Sequence, residues 1–194
     1  MQFETDQWKI SDLLAGHFSK SLTAIYTLDD QGRVCCDGNV GTTTSFAGNH
    51  LPFRWGKVDG DFDITGMQLE SLEGCPHTVG GEFLCLWNRL RSLQGGPRVV
   101  GKEYTATGLH NLTILDGLPE QIVNDEEVAW IYLSYRPDLP LLKLMTVRGL
   151  TKVQLNGGEQ VAAIINRYLL RGVNGVMPCA AELHKAGYGG NAKL

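Results

Sequence analysis

Between residues 58 and 120 the apolar positions fall into columns. The segments VDGDFDITGMQLESLEGCP from Val58, VGGEFLCLWNRLRSLQGGP from Val79 and VGKEYTATGLHNLTILDGLP from Val100 follow one another at an interval of 21 residues. Phe62, Phe83 and Tyr104 stand in one column, and Ile64, Cys85 and Ala106 stand two residues further on. That alternation with a period of two places the apolar members on one side of a short strand. Leu69, Leu90 and Leu112, then Leu72, Leu93 and Leu115, add two apolar groups to the same core after a bend. Gly74, Gly95 and Gly117 with Pro76, Pro97 and Pro119 end each unit, glycine admitting positive φ and proline fixing it. The third copy carries one extra residue between Tyr104 and Leu112, which a surface turn absorbs. A unit this small cannot bury its own apolar face, so the copies are expected to cover one another in a stack.

The flanks predict different elements. Residues 6–19 read as an amphipathic helix whose apolar face holds Trp8, Ile10, Leu13, Leu14 and Phe18, closing the open end of the stack. A turn over 28–32 leads to a strand over 33–40, bent at Asp37-Gly38. Residues 41–57 read as a decayed repeat with Phe46, Asn49, Leu51 and Pro52 as remnants, so regular coils start before Val58. Beyond Pro119, Val128, Trp130, Tyr132 and Leu133 resemble the strand of a further unit, and Pro140, 21 residues after Pro119, keeps the interval. A short helix is expected over 141–144, followed by strand or irregular chain over 145–155. Val161, Ile164, Ile165, Tyr168 and Leu169 predict a helix over 159–171 that stops at Gly172. Pro178 opens a second helix, which Gly187 ends.

The columns Phe83, Cys85, Asn88, Leu90 and Leu93 resemble the leucine-rich repeat. The first copy departs from it, with Met67 where Asn88 stands, so an asparagine ladder is not continuous. The segments Leu69 to Pro76 and Val79 to Phe83 are worded like the degenerate leucine-rich repeats of tailed-phage proteins, a resemblance covering roughly residues 34–120. The glycine-rich ending from Ala186 to Leu194 is similar to that of related phage repeat proteins. The expected architecture is therefore an α+β fold: a short leucine-rich-repeat-like β-solenoid capped by an N-terminal helix and a C-terminal helical hairpin. Residues 1–30 form the N-terminal helical cap, 31–140 the solenoid, with its clear repeats over 58–120, and 141–194 the C-terminal helical region. The resemblance implies a binding scaffold and no particular activity.

Composition narrows the function classes. The 194 residues carry a net charge of −4, well mixed along the chain, so no nucleic-acid partner is expected. The five cysteines include the adjacent Cys35 and Cys36, with no spacing typical of a zinc site or redox pair, and Cys85 falls in an inward column. A reducing cytoplasm is the expected compartment. The start MQFETDQWKISDLL has acidic residues where a signal peptide is basic, and no stretch approaches the ~20 apolar residues of a membrane span. Cys75 and His77 offer two metal donors where three or four are needed. No nucleophile elbow, phosphate loop or dinucleotide fingerprint is present, so neither cofactor nor metal is expected.

Two surface features stand out. Asp61, Glu82 and Glu103 share an outward repeat position, flanked by Asp59 and Asp63 at one end and by Asp125, Glu126 and Glu127 at the other. Like charges on neighbouring strands oppose folding, and this column fits a basic partner, a cation held between carboxylates, or a sheet kept soluble. Trp87 with Arg89 and Arg91 has the composition of an interface hot spot, and Leu84 and Leu86 alternate with the core to form an apolar outer stripe. Trp87 can equally fold over the neighbouring turn, and the leucines can be covered by a terminal helix. The expected function is a non-catalytic protein-binding module, phage-encoded by resemblance, that blocks a host protein such as a defence component in the host cytoplasm. The alternatives are a virion or self-assembling protein, and an enzyme drawing on Cys179, Glu182, His184 and Tyr188 beyond the repeats.

Overall fold

A computed structural model of the chain describes residues 3–22, 24–45, 48–123 and 129–194. The chain winds into a β-solenoid of about five turns, closed by a helix at its N-terminal end and by helices at its C-terminal end. Each regular coil contributes one short strand to each of two parallel sheets. The larger sheet runs β1 (Phe18–Lys20), β4 (Val40–Thr42), β6 (Phe62–Asp63), β8 (Phe83–Leu84), β10 (Glu103–Ala106), β12 (Trp130–Ser134) and β13 (Lys152–Asn156). The smaller runs β11 (Gln121–Ile122), β9 (Val99–Val100), β7 (Thr78–Val79), β5 (Trp55–Val58), β3 (Val34–Cys36) and β2 (Tyr26–Leu28).

The predicted columns are the register of these sheets. Phe62 pairs with Phe83 and Phe83 with Tyr104, while Val58, Val79, Val100 and Ile122 pair in turn across the smaller sheet. Between the sheets Leu69, Leu72, Leu90, Leu93, Leu112 and Leu115 are buried. Stacking like on like builds an aromatic column along the axis, with Trp55 to Phe62 at 5.1 Å, Phe62 to Phe83 at 6.3 Å and Phe83 to Tyr104 at 5.0 Å between ring centroids. At the turn entering the larger sheet the coils approach so closely that a Cβ on Gly101 would overlap the carbonyl oxygen of Gly80. Gly74, Gly95 and Gly117 all take positive φ at the unit ends, as their column requires.

The coils begin before Val58. Val40 pairs with Phe62, and residues 41–57 supply β5 together with the buried Leu51 and Phe53. Phe46, Asp125, Glu126, Glu127 and Val128 lie outside the described residues. After the third clear copy the interval changes. Tyr104 pairs with Ile131, 27 residues on, and Ile131 with Val153, 22 residues on. Pro140 therefore keeps the count but not the place. It precedes a 3-10 helix over Leu141–Thr146, and the strand residue Gln121 meets Arg148 instead.

Both ends are closed by more than helices. Helix α1 (Gln7–His17) leads straight into β1, which runs antiparallel to β4, and β2 runs antiparallel to β3, so each sheet ends on a reversed strand. Ile10 and Leu14 are buried beneath α1, but Trp8 is 66% exposed. Two residues advance a helix by about 200°, so Trp8 and Ile10 cannot share a face. At the other end α2 (Glu159–Leu169) buries Val161, Ile164 and Ile165, and α3 (Val176–Lys185) packs against it. The side chain of Asn166 does for edge strand β13 what a further strand would do. Its Oδ1 accepts the Val153 N–H at 2.8 Å and its Nδ2 donates to the Val153 carbonyl at 2.9 Å. Among the described residues no helix is long and apolar enough to cross a membrane.

Candidate binding face

The outer face of the larger sheet presents three rows, fixed by the strand register. The first holds Asp61, Glu82, Glu103, Trp130 and Lys152, the second Asp63, Leu84, Thr105, Tyr132 and Gln154. The third holds Thr65, Leu86, Thr107, Ser134 and Asn156, two residues beyond the second. Leu84 and Leu86 are half-buried. Trp130 and Tyr132 stack with centroids 5.2 Å apart and an interplanar angle of 25°. The Lys152 ammonium sits 3.9 Å from the Trp130 centroid, a cation–π contact. Aliphatic and aromatic groups thus run beside a row of acids.

The acidic column is not uniform. Asp61 is turned to the backbone: its Oδ1 accepts the Glu82 N–H at 2.8 Å, just as Asn39 Oδ1 accepts the Asp61 N–H at 2.9 Å. Its carboxylate links successive coils and is committed to the corner. Glu103 is half-buried, and loss of water together with repulsion from Glu82 raises its carboxyl above the usual range. The same pair raises the phenol of Tyr132, burial acting first and Glu103 and Glu82 after it. Glu82 and Glu103 therefore face each other as like charges beside an aromatic stack.

Trp87 stands at the edge of this face, where the chain leaves the sheet. The corresponding positions in the neighbouring coils are Gly66 and Gly108, and all three take positive φ: 71°, 52° and 69° in chain order. This φ disfavours every residue with a Cβ, and for a bulky residue it is an outlier. The indole lies over the next coil, where a Cβ on Gly108 would collide with its ring, yet Trp87 remains 66% exposed. The indole folds over the neighbouring turn and offers its other face to solvent. Arg89 and Arg91 are exposed, but they lie past the bend, on the leucine-bearing side, where Asn88 and Leu90 turn inward. The corner thus separates the arginines from Leu84, Leu86, Glu82 and Glu103.

The other candidate groups are dispersed. Cys75, Cys85 and Cys179 are buried, and burial raises their thiols, Cys179 to about 11. Glu182 pairs with Arg167 and accepts the Tyr168 hydroxyl at 2.7 Å, while the Tyr188 hydroxyl donates to Gln160 at 2.5 Å. These groups tie the chain around α3 to α2, and His184 is exposed beside them. Among the described residues no three His, Cys, Asp or Glu side chains gather as metal ligands.

Sequence reasoning missed the part of the face formed by Trp130, Tyr132 and Lys152. Trp130, Ile131, Tyr132 and Leu133 are all apolar, so alternation alone leaves the inward set open. Pairing of Ile131 with Tyr104 decides it. The available signal is chemical: Ile and Leu prefer full burial, while Trp and Tyr keep a polar handle suited to a wet face. Compared with family models, curated proteins and solved structures, the chain matches none.

Proposed function

We propose that this protein is a non-catalytic binding module that docks a protein partner on the outer face of its larger sheet. The observation that carries this reading is Trp87, a large aromatic held exposed in a left-handed backbone position that the adjoining coils give to glycine. Strain of this kind costs on the order of 1–3 kcal/mol and is kept where it serves a function. Leu84, Leu86, Trp130 and Tyr132 supply the contact area beside it. Glu82 and Glu103, repelling each other, favour a partner that brings a lysine or arginine between them.

The likeness of the repeats to those of tailed-phage proteins extends the proposal. The partner is then a host protein, for instance a defence component in the bacterial cytoplasm, and the mode of action is steric occlusion. The test is affinity capture from infected cells, read by mass spectrometry, followed by titration of the recovered protein against the Trp87→Gly variant. Affinity is expected to fall at least about tenfold, as for an interface hot spot, while the melting temperature is not lowered. Unchanged affinity would remove Trp87 from the site.

A second reading is self-assembly. Leu170, Val173 and Met177 are strongly exposed apolar residues at the C-terminal end. Light scattering separates the two readings, since a binding module of this kind is monomeric without its partner.

A further inference from the structure

A cleft of about 430 Å³ opens between α1 and the first coil, and it does not belong to the docking face. Its size lies within the roughly 300–1,000 Å³ of small-molecule sites. The walls are Ile10 and Leu14 from one face of α1, Phe18 from β1, and Leu28 and Val34 from the antiparallel pair β2 and β3. Ile10, Leu14 and Phe18 are buried and show only their edges to the cleft, Phe18 packing on Phe53 and Trp55 behind it, while Leu28 is the more exposed wall.

Two polar groups interrupt the apolar walls. Tyr26 lies in the wall with its hydroxyl buried and without a hydrogen-bond partner, and burial raises this phenol to about 12. An unpaired buried hydroxyl costs free energy. Lys20 reaches the same cleft. Its ammonium lies 5.7 Å from the Tyr26 centroid and donates to the Ala24 carbonyl, and no carboxylate pairs with it among the described residues. An exposed ammonium without a carboxylate partner, beside apolar walls, suits an anion on an apolar body.

We propose that the cleft between α1 and β1–β3 binds a small amphiphile, its hydrocarbon part against Ile10, Leu14 and Phe18 and its carboxylate at Lys20.

Calorimetric titration with decanoate and with decanol tests it on the full chain. Decanoate is expected to saturate one site per chain and to bind about tenfold more tightly than decanol, the scale of one charge-assisted hydrogen bond. Lys20→Met should remove that preference and leave decanol binding as it was. Ser11→Trp, on an exposed position of α1 that lines the cleft, should weaken decanoate at least tenfold while circular dichroism shows the same fold. Non-saturating uptake, or equal binding by Ser11→Trp, would overturn the site. A preference for decanoate that survives Lys20→Met would overturn the carboxylate assignment.

Discussion

The amide of Asn88 closes four hydrogen bonds inside the solenoid. Its Oδ1 accepts the Leu69 N–H of the preceding coil at 2.9 Å, and its Nδ2 is shared among the carbonyls of Ile64, Cys85 and Leu86. The equivalent positions are the buried Met67 and Leu109, so this is a single rivet and no ladder runs along the axis. Asn88→Ala leaves a buried donor and acceptors unpaired and should cost on the order of 2–4 kcal/mol in urea unfolding. Glu103 gives a second prediction at this scale. Because burial and Glu82 raise its folded-state pKa, the protonated form is favoured in the fold. The stability this confers is complete below the unfolded value of 4.5 and is lost as pH rises through the raised folded value. At neutral pH Glu103→Gln should therefore melt above the parent, with the difference vanishing below about pH 4.5. A variant that melts below the parent at pH 7 would show that the carboxylate is stabilised where it sits.

Among the elements, legibility in the sequence followed length and chemistry. The strands of the larger sheet could be read because Phe62, Phe83 and Tyr104 mark them with large aromatics at a constant interval, each followed two residues later by a small or aliphatic group. In the smaller sheet Thr78–Val79, Val99–Val100 and Gln121–Ile122 are two residues long and too short for any periodicity to register. Their valines were visible only as the starts of units. The long coil between Tyr104 and Ile131 shifted the count, which hid both the true place of Pro140 and the outward set of β12. Helix α2 was plain from its apolar spacing, but the role of Asn166 was not, because it depends on a strand edge distant in sequence. That residue makes the third prediction. Asn166→Ala uncovers the N–H and carbonyl of Val153 on the edge of the larger sheet. Exposed sheet edges recruit other strands, so the variant should lose on the order of 1–3 kcal/mol in urea unfolding and gain mass in light scattering as concentration rises. Unchanged stability would mean that the helix holds this edge by packing alone.

At the scale of the whole molecule, repetition supplies the scaffold and its interruptions supply the candidate sites. The inward columns are nearly invariant in character, which the stacked core demands. The outward positions differ from coil to coil: acids over the middle strands, leucines on and just after β8, stacked aromatics on β12, and tryptophan in a column of glycines. Of the residues singled out in the sequence, Leu84, Leu86, Glu82 and Glu103 share this face, Trp87 marks its edge, Asp61 is spent on the corner, and Arg89 and Arg91 lie round the bend. The smaller sheet offers a natural control, since Lys57 on β5 and Arg98 just before β9 are exposed. The most direct test places a photo-crosslinking amino acid at Leu84 or Thr105 on the larger sheet, and at Lys57 or Arg98 on the smaller, and irradiates living cells. The docking account predicts a discrete protein adduct from positions 84 and 105 and none from 57 and 98. Adducts of equal yield from both sheets, or from neither, would contradict it.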